Sequence, residues 1–270
     1  MITFPNCKIN LGLQILRKRP DGYHDIDTCF YPLPFTDILE ISHSKLPSVQ
    51  FITTGIVIPE NGENLCLKAY KLLKKDFNSL GIVNIHLHKA IPVGSGLGGG
   101  SADGAFSIKM LNSLFDLKLS NEKMRDYAYE LGSDCPFFID NVPSYATGRG
   151  QILTPAEIDL SMYSIVIVNP GIEIKTAWAF SQVSPANRSI SIPEILSEPV
   201  WAWKRQLFND FELPVFEHYP LLKEIKNEFY RHGALYASLS GSGSTLFGIF
   251  EKGKAPGQNI FAKYFYKFIP

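Results

Sequence analysis

Six glycines fall between residues 94 and 104, most of them in the run Pro92-Val93-Gly94-Ser95-Gly96-Leu97-Gly98-Gly99-Gly100-Ser101-Ala102. Glycine at this density removes the Cβ atoms that would hold an anion away from the backbone, so successive amide N–H groups can converge on it. The run stands between an alternating segment, Val83 to Lys89, and a helix-patterned one, Ala102 to Asn112, carrying Ala105, Ile108, Met110 and Leu111. A strand, a glycine loop and a helix in that order set the positive end of a helix dipole at the loop. An isolated pair of glycines would read as a tight turn. Six in this setting read as an anion-binding element, suited to the phosphates of a nucleotide.

Other glycine-rich signatures compete for the same residues. Gly94-x-Gly96-x-x-Gly99 satisfies the dinucleotide-binding string, but that fold continues into a second parallel strand ending in an acidic residue about 20 positions on. Here Asp116 lies just past a helix with no such strand, which disfavours a nicotinamide-dependent oxidoreductase. The G-x-x-x-x-G-K-[ST] loop of the P-loop enzymes is absent, as are the V-A-I-K, H-R-D and D-F-G elements of protein kinases.

The elements that must position this loop follow from periodicity. Ile9, Leu11, Leu13 and Ile15 alternate through Lys8 to Ile15, the pattern of a strand with one buried face. Arg17 to His24, with its charges and Pro20-Asp21-Gly22, reads as an exposed loop. Asp37 to Ser42 and Val49 to Thr53 read as strands, and Asn64 to Asn78 as an amphipathic helix through Leu65, Tyr70, Leu72, Leu73 and Phe77. Ser120 suits the N-cap of a helix running to Leu131, with Gly132 stopping it in the left-handed conformation. Ser164 to Val168 is an apolar strand, and Ser184 to Pro199, with three prolines, reads as a connecting loop. A helix near Leu221 to His232, a strand at Ala237 to Leu239, the turn-rich Ser240 to Ser244 and a strand from Thr245 to Phe250 complete the chain.

With 270 residues, 45% hydrophobic and 19% charged, the chain has the composition of a globular protein, and its length suits two domains, set at residues 1–155 and 156–270. Lys+Arg and Asp+Glu stand at 26 each, so no excess of positive charge gathers nucleic acid or an anionic membrane. Cys7, Cys29, Cys66 and Cys135 are widely spread, without the pairing a structural zinc needs, and read as reduced thiols. No apolar stretch approaches the length of a membrane span and the first residues lack a signal-peptide pattern, which predicts a cytoplasmic protein, a monomer or weak homodimer.

Three segments together resemble the GHMP kinase superfamily: the Lys8-Ile9-Asn10 strand, the loop from Pro92 to Ala102, and Ser240-Gly241-Ser242-Gly243-Ser244-Thr245-Leu246-Phe247-Gly248. Within it, Lys8 to Leu13 followed by Lys18-Arg19-Pro20-Asp21-Gly22-Tyr23-His24, and then Leu131-Gly132-Ser133-Asp134-Cys135-Pro136, is similar to the branch whose acceptor is a cytidine diphosphate-linked methylerythritol of the non-mevalonate isoprenoid pathway. Asn6-Cys7 stands where that family usually has Pro-Ala, and Asp103-Gly104 where it often has Asp-Ala. The resemblance implies an α+β fold of two domains, one like the second domain of ribosomal protein S5 and one ferredoxin-like, with the active site in the cleft between them.

What the resemblance implies for single residues can be stated in the same terms. Asp134 would be the general base toward the acceptor 2-hydroxyl and Lys8 would hold it ionised. Pro92, Val93, Gly94, Ser95, Gly96, Leu97, Gly98, Gly99, Gly100, Ser101 and Ala102 would wrap the phosphates of ATP. The Ser101 hydroxyl would meet a phosphate or a Mg2+ ion held mainly by phosphates and water, and no protein metal ligand is named. Asn64 would lie near the adenine. Tyr23 and Phe180 would cover the two faces of the cytosine while His24 reads its edge, with Asn10 and Thr176 as further polar contacts. Gly241, Ser242 and Gly243 would support the phosphate loop. Read singly, several of these residues have ordinary structural explanations, an N-cap for Asn64 and Asp134 or a core ring for Phe180. A GHMP kinase acting on homoserine, mevalonate or a sugar, and a non-catalytic binding protein of the same fold, are the competing readings.

Overall fold

Ile9, Leu11, Leu13 and Ile15 are all buried in a long strand, Asn6–Lys18, but Lys8, Asn10 and Gln14 between them are buried too, so both faces are covered where alternation predicts one. The computed structural model describes residues 1–59, 63–185 and 190–270. The chain divides into two compact units that interleave in sequence: residues 1–8, 32–93 and 98–142 form the first, and residues 9–31, 94–97 and 143–270 the second.

In the first unit a four-stranded sheet runs in the order Ile2–Thr3, Ile38–His43, Val83–Lys89, Gln50–Gly55. The first three are antiparallel neighbours and the last lies parallel to Val83–Lys89. Register sets Leu39 opposite Leu87 and Ile41 opposite Ile85, so the buried phase of each strand falls on one face. Helices cover that apolar phase. Helix Leu65–Asp76 buries Cys66, Ala69, Tyr70 and Leu73, and helix Asn121–Leu131 buries Met124, Tyr127, Ala128 and Leu131, the same spacing in both. Helix Gly99–Leu114 is buried on more than one side, and a Cβ at its Gly104 would stand 3.0 Å from Leu65 and 3.2 Å from Leu131, which is why the chain has no side chain there.

The second unit has an antiparallel sheet in the order Tyr236–Leu239, Leu246–Glu251, Tyr163–Asn169, Phe265–Ile269. Helix Pro220–Arg231 turns Leu222, Ile225 and Phe229 into the same apolar cluster as Val166, Val168, Leu239 and Leu246. Another sheet runs Asn6–Lys18, His24–Thr36, Ser144–Gly148, Ile152–Pro155. The division between units falls inside its two long strands, after Lys8 and after Tyr31.

Three local expectations are corrected. Gly132 ends its helix at φ 170 and ψ 158, extended backbone that needs no glycine, and not in the left-handed region. Arg17 and Lys18 continue the first strand and His24 opens the next, so the exposed loop shrinks to residues 19–23. The stretch from Ser184 to Pro199 is not all loop: Ile192–Leu196 is a short helix, with Ser191 and Glu194 closing a capping box and Pro193 inside its first turn, where its missing N–H costs nothing. Residues 186–189 of that stretch lie outside the described residues. No helix among the described residues is long and apolar enough to cross a membrane.

Candidate active site

Helix Gly99–Leu114 starts at the glycine run, and Gly98 is its N-cap at φ 71. Gly94 and Gly96 also take positive φ, 63 and 82, so the run alternates left-handed glycines with ordinary residues before entering the helix. The amide groups of the first turn have no intrahelical partners, and Gly100 is exposed there. Space around Gly98 is tight: a Cβ would stand 3.1 Å from the Lys8 side chain and 3.0 Å from Phe138.

Lys8 is itself buried, and its Nζ lies 3.2 Å from Oδ2 of Asp134, whose side chain is 35% exposed. Asp134 occupies the turn after helix Asn121–Leu131, closed by Cys135 N donating to Gly132 O at 3.1 Å. A buried ammonium thus meets a carboxylate that still reaches solvent, next to the cap of the glycine-loop helix. Cys135 faces Ser101, and burial pushes its thiol up to about 12, so it stays a neutral thiol. Asn64 caps helix Leu65–Asp76, its Oδ1 accepting from Cys66 N at 2.9 Å.

A buried charge cluster stands behind the same helix start. Lys89 ends the strand Val83–Lys89 on its apolar phase and pairs with Asp37 and, at 2.8 Å, with Asp103 Oδ2. Burial, offset in part by Lys89, and then the neighbouring Asp37 raise the Asp103 carboxyl to about 7.

In the second unit, the middle of the glycine run is held by the C-terminal turn. Ser240 Oγ donates to Gly96 O at 2.9 Å and Thr245 N donates to Ser95 O at 3.1 Å. A Cβ on Gly96 would collide with the Ser240 carbonyl oxygen, so two backbones touch where only glycine fits. Asn209, buried, donates to the carbonyl oxygens of Leu239 and Gly241 at 2.9 and 2.8 Å and fixes that turn. Thr176 Oγ1 lies 3.2 Å from Ser242 Oγ, and a Cβ on Gly241 would stand 3.6 Å from Asn10 Oδ1. Asn10 Nδ2 donates to Thr28 Oγ1 at 3.0 Å.

The aromatic residues are arranged differently from an open slot flanked by Tyr23 and Phe180. Phe180 stacks on His24, with centroids 4.9 Å apart and planes at 14°, and meets Phe211 edge-on. The guanidinium of Arg149 lies 3.4 Å from the Tyr23 ring centroid. Desolvation first and the nearby Lys18 second hold the His24 imidazole below its ordinary value, so it stays neutral. Two carboxylates anchor this corner: Asp25 accepts from Arg17 and Arg19, and Asp21 from Arg19.

Sequence reasoning missed Arg149, Asn209 and the Asp37–Lys89–Asp103 cluster. Lys89 carried a usable signal, a charge on the buried phase after Val83, Ile85 and Leu87. Arg149 gave none, and the local bond Asn209 takes from Phe211 N says nothing of its chain-distant grip on Leu239 and Gly241.

The GHMP kinases N terminal domain matches residues 64–148 and the GHMP kinases C terminal domain matches residues 198–267. These matches take in more than half of the chain, and the fold is that of the GHMP kinases. The chain is 50% identical over 253 residues to a 4-diphosphocytidyl-2-C-methyl-D-erythritol kinase of Bacteroides fragilis, covering 93% of this chain and 92% of that protein. A protein of the same name from Chlorobium phaeobacteroides is 39% identical over 253 residues, covering 91% of this chain and 87% of its own length. A crystal structure of 4-(cytidine 5'-diphospho)-2C-methyl-D-erythritol kinase superposes with a TM-score of 0.84 at 29% identity, over 100% of this chain and 98% of that one. The chain belongs to the 4-diphosphocytidyl-2-C-methyl-D-erythritol kinase family. The Methanococcus jannaschii mevalonate kinase, at TM-score 0.72 and 14% identity, shares the fold.

Proposed function

We propose that the chain transfers the γ-phosphoryl group of ATP to the 2-hydroxyl of 4-(cytidine 5'-diphospho)-2-C-methyl-D-erythritol, giving the 2-phosphate and ADP. The observation that carries this reading is the Lys8–Asp134 ion pair, 3.2 Å long and adjoining Gly98 at the start of the glycine-loop helix. Asp134 takes the proton from the acceptor hydroxyl as its oxygen bonds to the γ-phosphorus, and the bond from that phosphorus to the β,γ-bridging oxygen breaks to release ADP. Lys8 pairs with Asp134 and points it at the hydroxyl.

Pro92 to Ala102 wraps the phosphates, the amides of the first helical turn supply donors, and Ser101 adds a hydroxyl. Mg2+ would be held mainly by the phosphates and water, with the Ser101 hydroxyl beside it, and would supply charge neutralisation at the transferring group. Asn64, with its oxygen engaged in the cap, contacts the adenine through Nδ2. Tyr23 and Phe180 take the cytosine between them once the Phe180–His24 stack opens, His24 reads its edge as a neutral imidazole, and Asn10 and Thr176 contact the rest of the acceptor. Gly241 to Gly243 brace the loop. The two family matches lie on either side of 155/156, which supports a boundary there along the sequence although the compact units interleave; the protein works in the cytoplasm as a monomer or weak homodimer.

The test is acceptor-dependent ADP release from MgATP in wild type, Asp134→Ala and Lys8→Ala, with mevalonate and homoserine as controls. Release with the cytidine-linked acceptor that collapses in both variants, while ATP still binds, is the expected result. Turnover on a control acceptor alone rejects the substrate.

A further inference from the structure

We propose that Asp37, Lys89 and Asp103 form a positioning cluster that ties the two ends of the glycine loop together and so sets affinity for the donor nucleotide. The inference rests on the reading that this loop holds ATP. All three side chains are buried and belong to the first unit.

Asp37 Oδ1 accepts from Ala90 N at 2.6 Å and Ile91 N at 2.9 Å, the two amides where the chain leaves its strand for the loop. Its other oxygen accepts from Lys89 Nζ. The same ammonium reaches across to Asp103 Oδ2 at 2.8 Å, one turn into the helix that receives the loop. Lys89 Nζ also lies behind the helix start, 3.4 Å from where a Cβ of Gly99 would be. Entry and exit of the loop are therefore held by one lysine.

A cluster that served stability alone would not be built this way. Two buried carboxylates share a single ammonium, and Asp103 Oδ1 has no hydrogen-bond partner among the described residues. Buried ion pairs of this sort are poor sources of stability, because desolvation offsets their attraction, while they do constrain geometry. The constrained object here is the spacing between residues 90–91 and the first turn of the helix, which decides whether the loop amides converge on a phosphate.

The experiment compares Asp103→Ala, Asp103→Asn and Gly100→Asp with wild type by KM for each substrate, kcat and thermal midpoint. Asp103→Ala raises KM for ATP about tenfold, the loss expected of one charge-assisted hydrogen bond, with kcat and the acceptor KM within about twofold. Asp103→Asn keeps an oxygen for Lys89 and recovers most of that loss. If Asp103→Ala does not fold, Asp103→Glu carries the test: its displaced carboxylate raises KM for ATP about threefold and leaves the acceptor KM alone. A lowered thermal midpoint with unchanged KM for ATP, or parallel rises in both KM values, overturns the proposal. Gly100→Asp separates the two readings. Lost ATP binding there with a normal Asp103→Ala sinks only the cluster, whereas unaltered ATP binding in Gly100→Asp sinks the donor loop itself.

Discussion

Gly100 lets the donor assignment be tested without damaging the fold. It is exposed in the first turn of helix Gly99–Leu114, its φ lies outside the left-handed region, and nothing stands within 4 Å of a Cβ built there. An aspartate at this position meets the unpaired amides of the helix start, an interaction worth about 0.3–1 kcal/mol in favour of the folded state. Replacing a helical glycine by aspartate adds at most a few tenths of a kcal/mol in the same direction, since aspartate is itself a weak helix former. Gly100→Asp should therefore unfold at the wild-type temperature or a few degrees above it. Toward ATP the sign reverses. A carboxylate about 5 Å from a phosphate of one net charge costs roughly 1–3 kcal/mol for an effective dielectric between about 80 and 20. That corresponds to a loss of affinity of about five- to more than a hundredfold, before the amides now occupied by the carboxylate are counted. Isothermal titration with a non-hydrolysable ATP analogue, beside a thermal melt, measures both signs on one sample. A variant as stable as wild type that binds the analogue equally well would refute the reasoning, because the carboxylate would stand among the helix-start amides that the phosphate needs.

Further outcomes follow from the second unit. Phe180→Ala should raise the acceptor KM about tenfold or more, the scale of one lost base stack, and leave KM for ATP unchanged, while Phe180→Trp keeps the acceptor KM near wild type. His24 has its pKa lowered by burial and by Lys18, so the acceptor KM should stay flat as pH falls through 6.5 and rise only below it, where imidazolium forms. Stability linked to His24 has the same sense: it is lost as pH falls through the lowered folded-state value, and Lys18→Met should move both changes to higher pH. Asn209→Ala removes a donor from the carbonyl oxygens of Leu239, which keeps the Ser238 hydroxyl, and Gly241, and an acceptor from the amide of Phe211, and urea unfolding should report a loss of about 1–3 kcal/mol.

Elements governed by local periodicity were readable in advance. The strand through Ile9 to Ile15, the helix capped by Ser120 and the strand-loop-helix around the glycine run all follow from alternation, capping chemistry and glycine density. The strand His24–Thr36 was hidden by Pro32 and Pro34, which argue against a sheet position; its pairing with Ser144–Gly148 runs only from Ile26 to Phe30, ahead of both prolines. Gly132 misled because a glycine after a helix usually marks a left-handed cap, and here the extended backbone would suit any residue. Within the site, the pairing of Lys8 with Asp134 came from resemblance, since residues so far apart in sequence carry no local sign of contact. The stack of Phe180 on His24 was beyond pattern altogether: it depends on which ring lies nearest once the chain has folded.

The backbone contact at Gly96 also bears on the order in which the protein becomes competent as it is made. Ser240 and Thr245 grip the loop from nearly 150 positions downstream, so a ribosome has exposed the whole glycine motif long before the residues that shape it exist. A nascent chain halted before Ser240 holds every donor-loop residue and lacks the brace that sets their geometry. Nucleotide binding that depends on the braced loop therefore has to wait until Ser240 and Thr245 have been made and have folded back onto Gly96 and Ser95.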